Sequence, residues 1–218
     1  MSTAATRTAE ESRRRSRFEV VATFLLAFAA VATAWSGYQA ARWNGEASKA
    51  SSRVNALRIE AARSQGLAEG QTQVDIAMFF EWVDAEMTGD AELAGFYEKR
   101  FRPEFQPAFD EWRATAPAAD GAPPGTPFAL DAYQLAAADE SAELDAEADA
   151  TAAVVRRNLQ RSTNYVLGVV LFSVALFFAG ISTKMTDAGP RSALLACGCV
   201  VFVCTAIWIV MSPISIAI

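Results

Sequence analysis

The chain has 218 residues, 52% of them hydrophobic, with 19 Lys and Arg, 25 Asp and Glu, and no histidine. The missing histidine excludes Ser-His-Asp and Cys-His nucleophilic machinery in their usual forms, and removes the commonest zinc ligand and general base. The net charge of -6 is unevenly placed: residues 39–164 carry 12 basic and 21 acidic side chains, a poor surface for nucleic acid, whose binding rests on phosphate neutralisation.

Residues 1–17 form a basic N-terminal tail, with Arg7, Arg13, Arg14, Arg15 and Arg17 against Glu10 and Glu11. Headgroup binding by basic residues is assigned to this tail, and the positive-inside rule places it in the cytoplasm. The first apolar run follows at once. Residues 18–38 match the roughly 20 residues that a helix needs to cross a bilayer, and the only charge among them is Glu19, at the cytoplasmic end. Ala32-Thr33-Ala34 has the form of a signal-peptide cleavage site. The run is long for a signal peptide, and helical pattern continues past Trp35 without a turn, so a retained span is expected. Ala29, Thr33 and Gly37 share one face of it, with Ala30 and Ala34 beside them. Small residues at this spacing let helices approach closely in lipid.

Residues 39–164 read as a helical extramembrane domain. From Gln39 to Ala85 there is no proline, and an alanine-rich stripe runs through Ala50, Val54, Leu57, Ala61, Ala68, Val74/Asp75, Met78 and Trp82. The spacing predicts one helix continuous with the first span, with a break near Gly66–Gly70. Residues 130–163 mirror it, with a sparse stripe of Leu135, Ala138, Ala142, Ala148, Val155 and Leu159. Paired antiparallel, residues 40–68 and 135–163 form a stalk of roughly 40 Å. Its thin stripes suit packing of the coiled-coil type in an oligomer.

The tip between the two arms is rich in aromatics. Thr88-Gly89-Asp90 predicts a turn ending in an N-cap aspartate. Arg102-Pro103 predicts the start of a short helix, with Pro103 in its first turn and Pro107 within or near it. That helix puts Phe105, Phe109 and Trp112 on one face, close to Phe101. These four rings read as the small core of the tip, or as an exposed patch for a partner. Residues 115–127, with Asp120-Gly121 and Pro123-Pro124-Gly125, read as a linker. Asp139, Glu140, Glu143, Asp145, Glu147 and Asp149 form an acidic run. A divalent cation is conceivable there, but no EF-hand spacing appears and a solvated helix face is the plainer reading.

Two more apolar runs close the sequence, giving spans 165–183 and 192–212 without a charge in either apolar centre. Ala175 and Ala179 repeat the small-residue spacing. Trp35, Tyr38, Tyr165 and Trp208 fall where all four could anchor at one membrane interface. Lys184 and Arg191 fall in the connection between the last two spans, which is placed in the cytoplasm. Cys197, Cys199 and Cys204 all lie in the third span and read as packing residues. Arg42, Lys49, Arg53, Arg58, Arg156, Arg157 and Arg161 flank the spans on the domain side. Long loops weigh less in the rule, so the domain is assigned outside, with the inverse orientation as the alternative.

The segment Ala34-Trp35-Ser36-Gly37-Tyr38-Gln39-Ala40-Ala41-Arg42-Trp43, the tip Phe96-Tyr97-Glu98-Lys99-Arg100-Phe101-Arg102-Pro103-Glu104-Phe105, and a returning helix with two adjacent spans resemble a group of uncharacterised bacterial membrane proteins known only as domains of unknown function. The resemblance carries no catalytic residue and implies no activity. The sequence thus predicts an all-α membrane protein with three spans and a helical stalk and tip between the first two, in the bacterial inner membrane. No catalytic, cofactor or metal residue is assigned. Lipid, further copies of the chain and a protein at the tip are the expected partners. A channel or transporter subunit and a sensor component are the alternatives to a scaffold.

Overall fold

The computed structural model describes residues 2–115, 125–185 and 187–214, with side chains throughout except at 2–15, 17 and 188. The arginine side chains of the tail (apart from their place in the sequence) and the Pro117–Pro124 part of the linker therefore lie outside the described residues. Among the described residues five α-helices follow one another: α1 (Ser2–Thr88), α2 (Ala91–Glu98), α3 (Gln106–Ala114), α4 (Ala136–Lys184) and α5 (Ala188–Val210), with a 3-10 turn at Pro127–Ala129. Among the described residues there is no strand. Three helices, α1, α4 and α5, contain stretches long and apolar enough to cross a membrane. The chain is an all-α protein of three candidate spans.

α1 contains no proline and does not break at Gly66–Gly70. Both glycines have open space where a side chain would stand, so no packing contact demands glycine there and the helix passes through them. It ends at Gly89, whose φ of 78° is the left-handed conformation that glycine adopts freely. The Asp90 amide then donates to the Ala85 carbonyl (3.0 Å) and the Gly89 amide to that of Glu86 (3.2 Å), a Schellman closure. Asp90 also accepts from the Leu93 amide and so caps α2, as its position in the sequence predicts.

The chain divides into two compact units. The first comprises Met1–Ser51 with Ala152–Ile218, and the second, the head, comprises Ser52–Thr151. In the membrane unit the buried positions of α1 include Ala22, Ala29, Ser36 and Trp43, seven residues apart. Those of α4 include Asn158, Tyr165, Phe172 and Ala179, and those of α5 include Leu195 and Ile209, with Phe202 partly buried between them. A strict seven-residue repeat keeps one seam of a helix facing its neighbours. The outward faces carry Phe24, Phe28, Val31, Val170, Phe177, Val200 and Ile207, all exposed. A water-facing surface with that composition would be unfavourable, and it is consistent with a lipid environment.

Close approach in this unit falls at Gly168, where a β-carbon would stand 2.8 Å from the Ile209 side chain, and at Gly198. A β-carbon there would stand 3.4 Å from the Ala175 carbonyl oxygen, 3.4 Å from Leu25 and 3.3 Å from Phe178. Gly180 has no such neighbour. Gly198→Leu is therefore expected to destabilise the detergent-solubilised protein by about 1–3 kcal/mol through overpacking. Gly180→Leu is the control, expected to leave the thermal midpoint unchanged.

In the head, α1 and α4 run antiparallel, and their seam is more polar than an apolar stripe predicts. The Ser64 hydroxyl donates to the Ala137 carbonyl (2.9 Å), and that of Ser141 to the Ala61 carbonyl (3.0 Å). In the membrane unit Ser162 donates likewise to Ala40 (2.9 Å). Ala142, Leu159 and Val74, assigned to stripes from the sequence, are exposed instead. A serine is small enough for close helix contact and satisfies its hydroxyl on the facing backbone, so it takes the seam position without a buried polar cost.

Candidate functional site

The head is built around aromatic rings. Phe105 and Phe109 are fully buried, and Phe101, Trp112, Phe79 and Trp82 nearly so. The Phe109 ring lies 4.8 Å from Phe101 and 4.9 Å from Trp82, edge to face in both cases. Phe79 packs edge-on to Trp112 at 5.2 Å. Such pairs add about 0.5–1.5 kcal/mol each beyond area burial. Trp112 also donates through Nε1 to the Gly125 carbonyl (3.3 Å), which ties the far end of the linker to α3. The four sequence-assigned tip residues are thus interior and do not form the outer surface.

α3 begins at Gln106, three residues later than Pro103 suggests, with Pro107 in its first turn. A polar clasp holds the intervening turn. The Arg102 guanidinium donates to Asp75 (2.8 Å) and to Glu104. Asp75, only 2% exposed, also accepts from the Tyr133 hydroxyl at 3.0 Å. The other Glu104 oxygen accepts from the Ala136 amide (3.3 Å), a free N–H of the first turn of α4. Burial raises the Asp75 carboxyl above its ordinary range, opposed by the Tyr133 hydroxyl and the Arg102 charge. Three segments of the head are therefore pinned by one buried carboxylate. The clasp carries no nucleophile and is fully used in holding the turn.

The acidic run of α4 is likewise engaged by α1 within the head. Arg58 bridges Asp145 (2.7 Å) and Asp149 (2.6 Å), Arg53 meets Glu147 (2.5 Å), and Ser64 donates to Glu140 (2.7 Å). No group of carboxylates suited to a metal ion appears among the described residues. These pairs are exposed, so they fix register more than they add stability, and salt screens them.

The head also exposes a few large apolar side chains. Phe80 is 65% exposed and Met87 83%, and Leu93 and Phe96 are also exposed. A shallow depression of about 290 Å³ is lined by Asp90, Glu92, Leu93 and Phe96. The Arg100 guanidinium sits 3.5 Å from the Phe96 ring centroid. Adjacent helical residues stand roughly 100° apart, so Phe79 faces the core while Phe80 faces outward.

In the membrane unit the packing candidates separate. Ala29, Ala175 and Ala179 are buried within the chain, Thr33 is half-buried and bonds back to the Ala29 carbonyl (2.7 Å), and Ala30, Ala34 and Gly37 are exposed. Trp35 and Tyr38 face outward with their rings 5.9 Å apart. Tyr165 faces inward, fully buried, with its hydroxyl donating to the Pro213 carbonyl (3.2 Å), and Trp208 is partly buried against the same cluster. Both therefore act as packing residues of the unit. Arg191 belongs to the first turn of α5, which starts four residues before residue 192. It is nearly buried and lies 3.7 Å from Glu19. Beside Tyr165, at the opposite end of the spans from Arg191, a cleft of about 200 Å³ lined by Trp35, Ser36, Phe172, Ile209 and Ile214 among others offers apolar walls and no acid or base beyond the engaged Tyr165.

Comparison of the chain with protein-family models, with curated proteins and with solved structures gives no match.

Proposed function

We propose that the chain is a non-enzymatic, multi-pass protein of the bacterial plasma membrane that self-associates and presents its helical head, outside the cytoplasm, to a protein partner. The observation that carries this reading is the split among the small residues of the first span. Ala29 is consumed by packing within the chain, while Ala30, Ala34 and Gly37 remain exposed. Small side chains on a lipid-facing surface give lipid little to gain and a second helix a close approach. The exposed Phe80, Met87, Leu93 and Phe96 support a contact role for the head. The arginine-rich tail supports a cytoplasmic N-terminus, and with it an external head.

The experiment is a mass measurement of the full chain in lipid discs. An oligomer is expected for the natural sequence, with a shift to monomer in Ala30→Leu/Ala34→Leu/Gly37→Leu. A monodisperse monomer for the natural sequence in several lipids overturns the scaffold reading.

A further inference from the structure

Just beyond the aromatic residues of the spans, the membrane unit carries a cluster of arginines with little negative charge around it. Residues 39–51 and 152–164 hold Arg42, Lys49, Arg156, Arg157 and Arg161 against one acid, Glu46, which is taken by Lys49 at 2.9 Å. Arg42, Arg156, Arg157 and Arg161 have no carboxylate partner among the described residues. Two of them are positioned by packing. The Arg161 guanidinium lies 4.4 Å from the ring centroid of the buried Trp43. Arg42 has its Nε buried and without a hydrogen-bond partner among the described residues.

The register fixes their depth. The Ser162 hydroxyl donates to the Ala40 carbonyl (2.9 Å), which sets Arg161 of α4 level with Arg42 of α1. Both stand four residues, roughly 6 Å at the helical rise, beyond Tyr38 and Tyr165. Arg156 and Arg157 follow about one turn farther out and are exposed. On the membrane side of this ring the side chains turn lipid-facing: Trp35, Tyr38, Val166 and Leu167 are all exposed.

We propose that Arg42 and Arg161, with Arg156 and Arg157 a turn farther out, form a collar that binds the phosphate headgroup of an anionic phospholipid. Guanidinium groups hold phosphate oxygens in forked hydrogen bonds. The exposed apolar side chains below the collar supply the surface for the acyl chains, which a soluble phosphate ester lacks. The basic tail is not the sole lipid-reading element of the chain. This inference uses the membrane placement and is independent of self-association or a partner for the head.

The test is native mass spectrometry of the delipidated full chain in detergent, titrated with phosphatidylglycerol or phosphatidylcholine. Phosphatidylglycerol is expected to bind more tightly, with a preference that falls as salt rises. In Arg42→Gln/Arg161→Gln that preference is expected to drop on the order of tenfold. An unchanged preference in this variant overturns the collar. If this variant does not fold, Arg156→Gln/Arg157→Gln at exposed positions replaces it, with a severalfold drop expected and no drop overturning the proposal. Displacement of the bound lipid by equimolar glycerol 3-phosphate overturns the lipid assignment in favour of a free-phosphate site.

Discussion

Arg102→Met is expected to lower the stability of the head by about 3–5 kcal/mol. The substitution leaves the nearly buried Asp75 carboxylate without its cation and frees Glu104 from the clasp. The loss exceeds the net worth of the pair, because removing one partner exposes the full desolvation penalty of the other. Asp75→Leu/Arg102→Met should therefore recover much of the stability, and a double variant no more stable than Arg102→Met would contradict the account. Hydrogen exchange of the segments around Phe79 and Phe109 reads the opening of the head directly. The pH dependence follows the same physics. Burial raises the Asp75 carboxyl in the folded head, so the folded state keeps this proton to higher pH than the unfolded state does. The contribution of this group to stability falls as pH rises from the unfolded value through the raised folded one. On acidification from neutral pH, the natural head should gain stability relative to Asp75→Asn, and an equal pH response in the two would count against a raised carboxyl.

Phe109→Ala is expected to cost about 3–5 kcal/mol by opening a cavity in the ring cluster. Phe109 is fully buried and touches Phe101, Trp82, Phe79 and Trp112, so no single neighbour can collapse into the space. Phe80→Ala, at an exposed position, should stay within about 0.5 kcal/mol of the natural protein. The contrast between two phenylalanines of the same head separates interior from contact surface. A calorimetric or exchange measurement showing similar losses for both would contradict the assignment of Phe80 to the outside.

The helical class and the three apolar stretches were legible because a long apolar run and a proline-free stripe each admit few structures. Asp90 was legible because a capping aspartate after glycine is a local signal. The seams were only half legible. Ser64, Ser141 and Ser162 occupy them because each finds a carbonyl on the facing helix, a partner that hydropathy cannot reveal. Gly66 and Gly70 misled because a glycine weakens a helix without ending it when flanking residues pack. The acidic run looked free of cations because its arginines, Arg53 and Arg58, come from α1, about ninety positions away. The Asp75–Arg102 clasp was hidden because its partners lie 27 positions apart, while Arg191 was read as a loop charge because the third apolar run begins only after it, although α5 starts before that run.

The proposed function rests on all three candidate spans crossing the bilayer, which would put the head and the α4–α5 connection on opposite sides. Single cysteines at Ala146 in the head and at Asp187 before α5, in a chain whose own three cysteines are replaced by alanine, can be labelled in sealed vesicles with a membrane-impermeant maleimide. The account predicts that one site reacts from outside and the other only after the vesicles are opened. Reaction of both sites from the same side would contradict it.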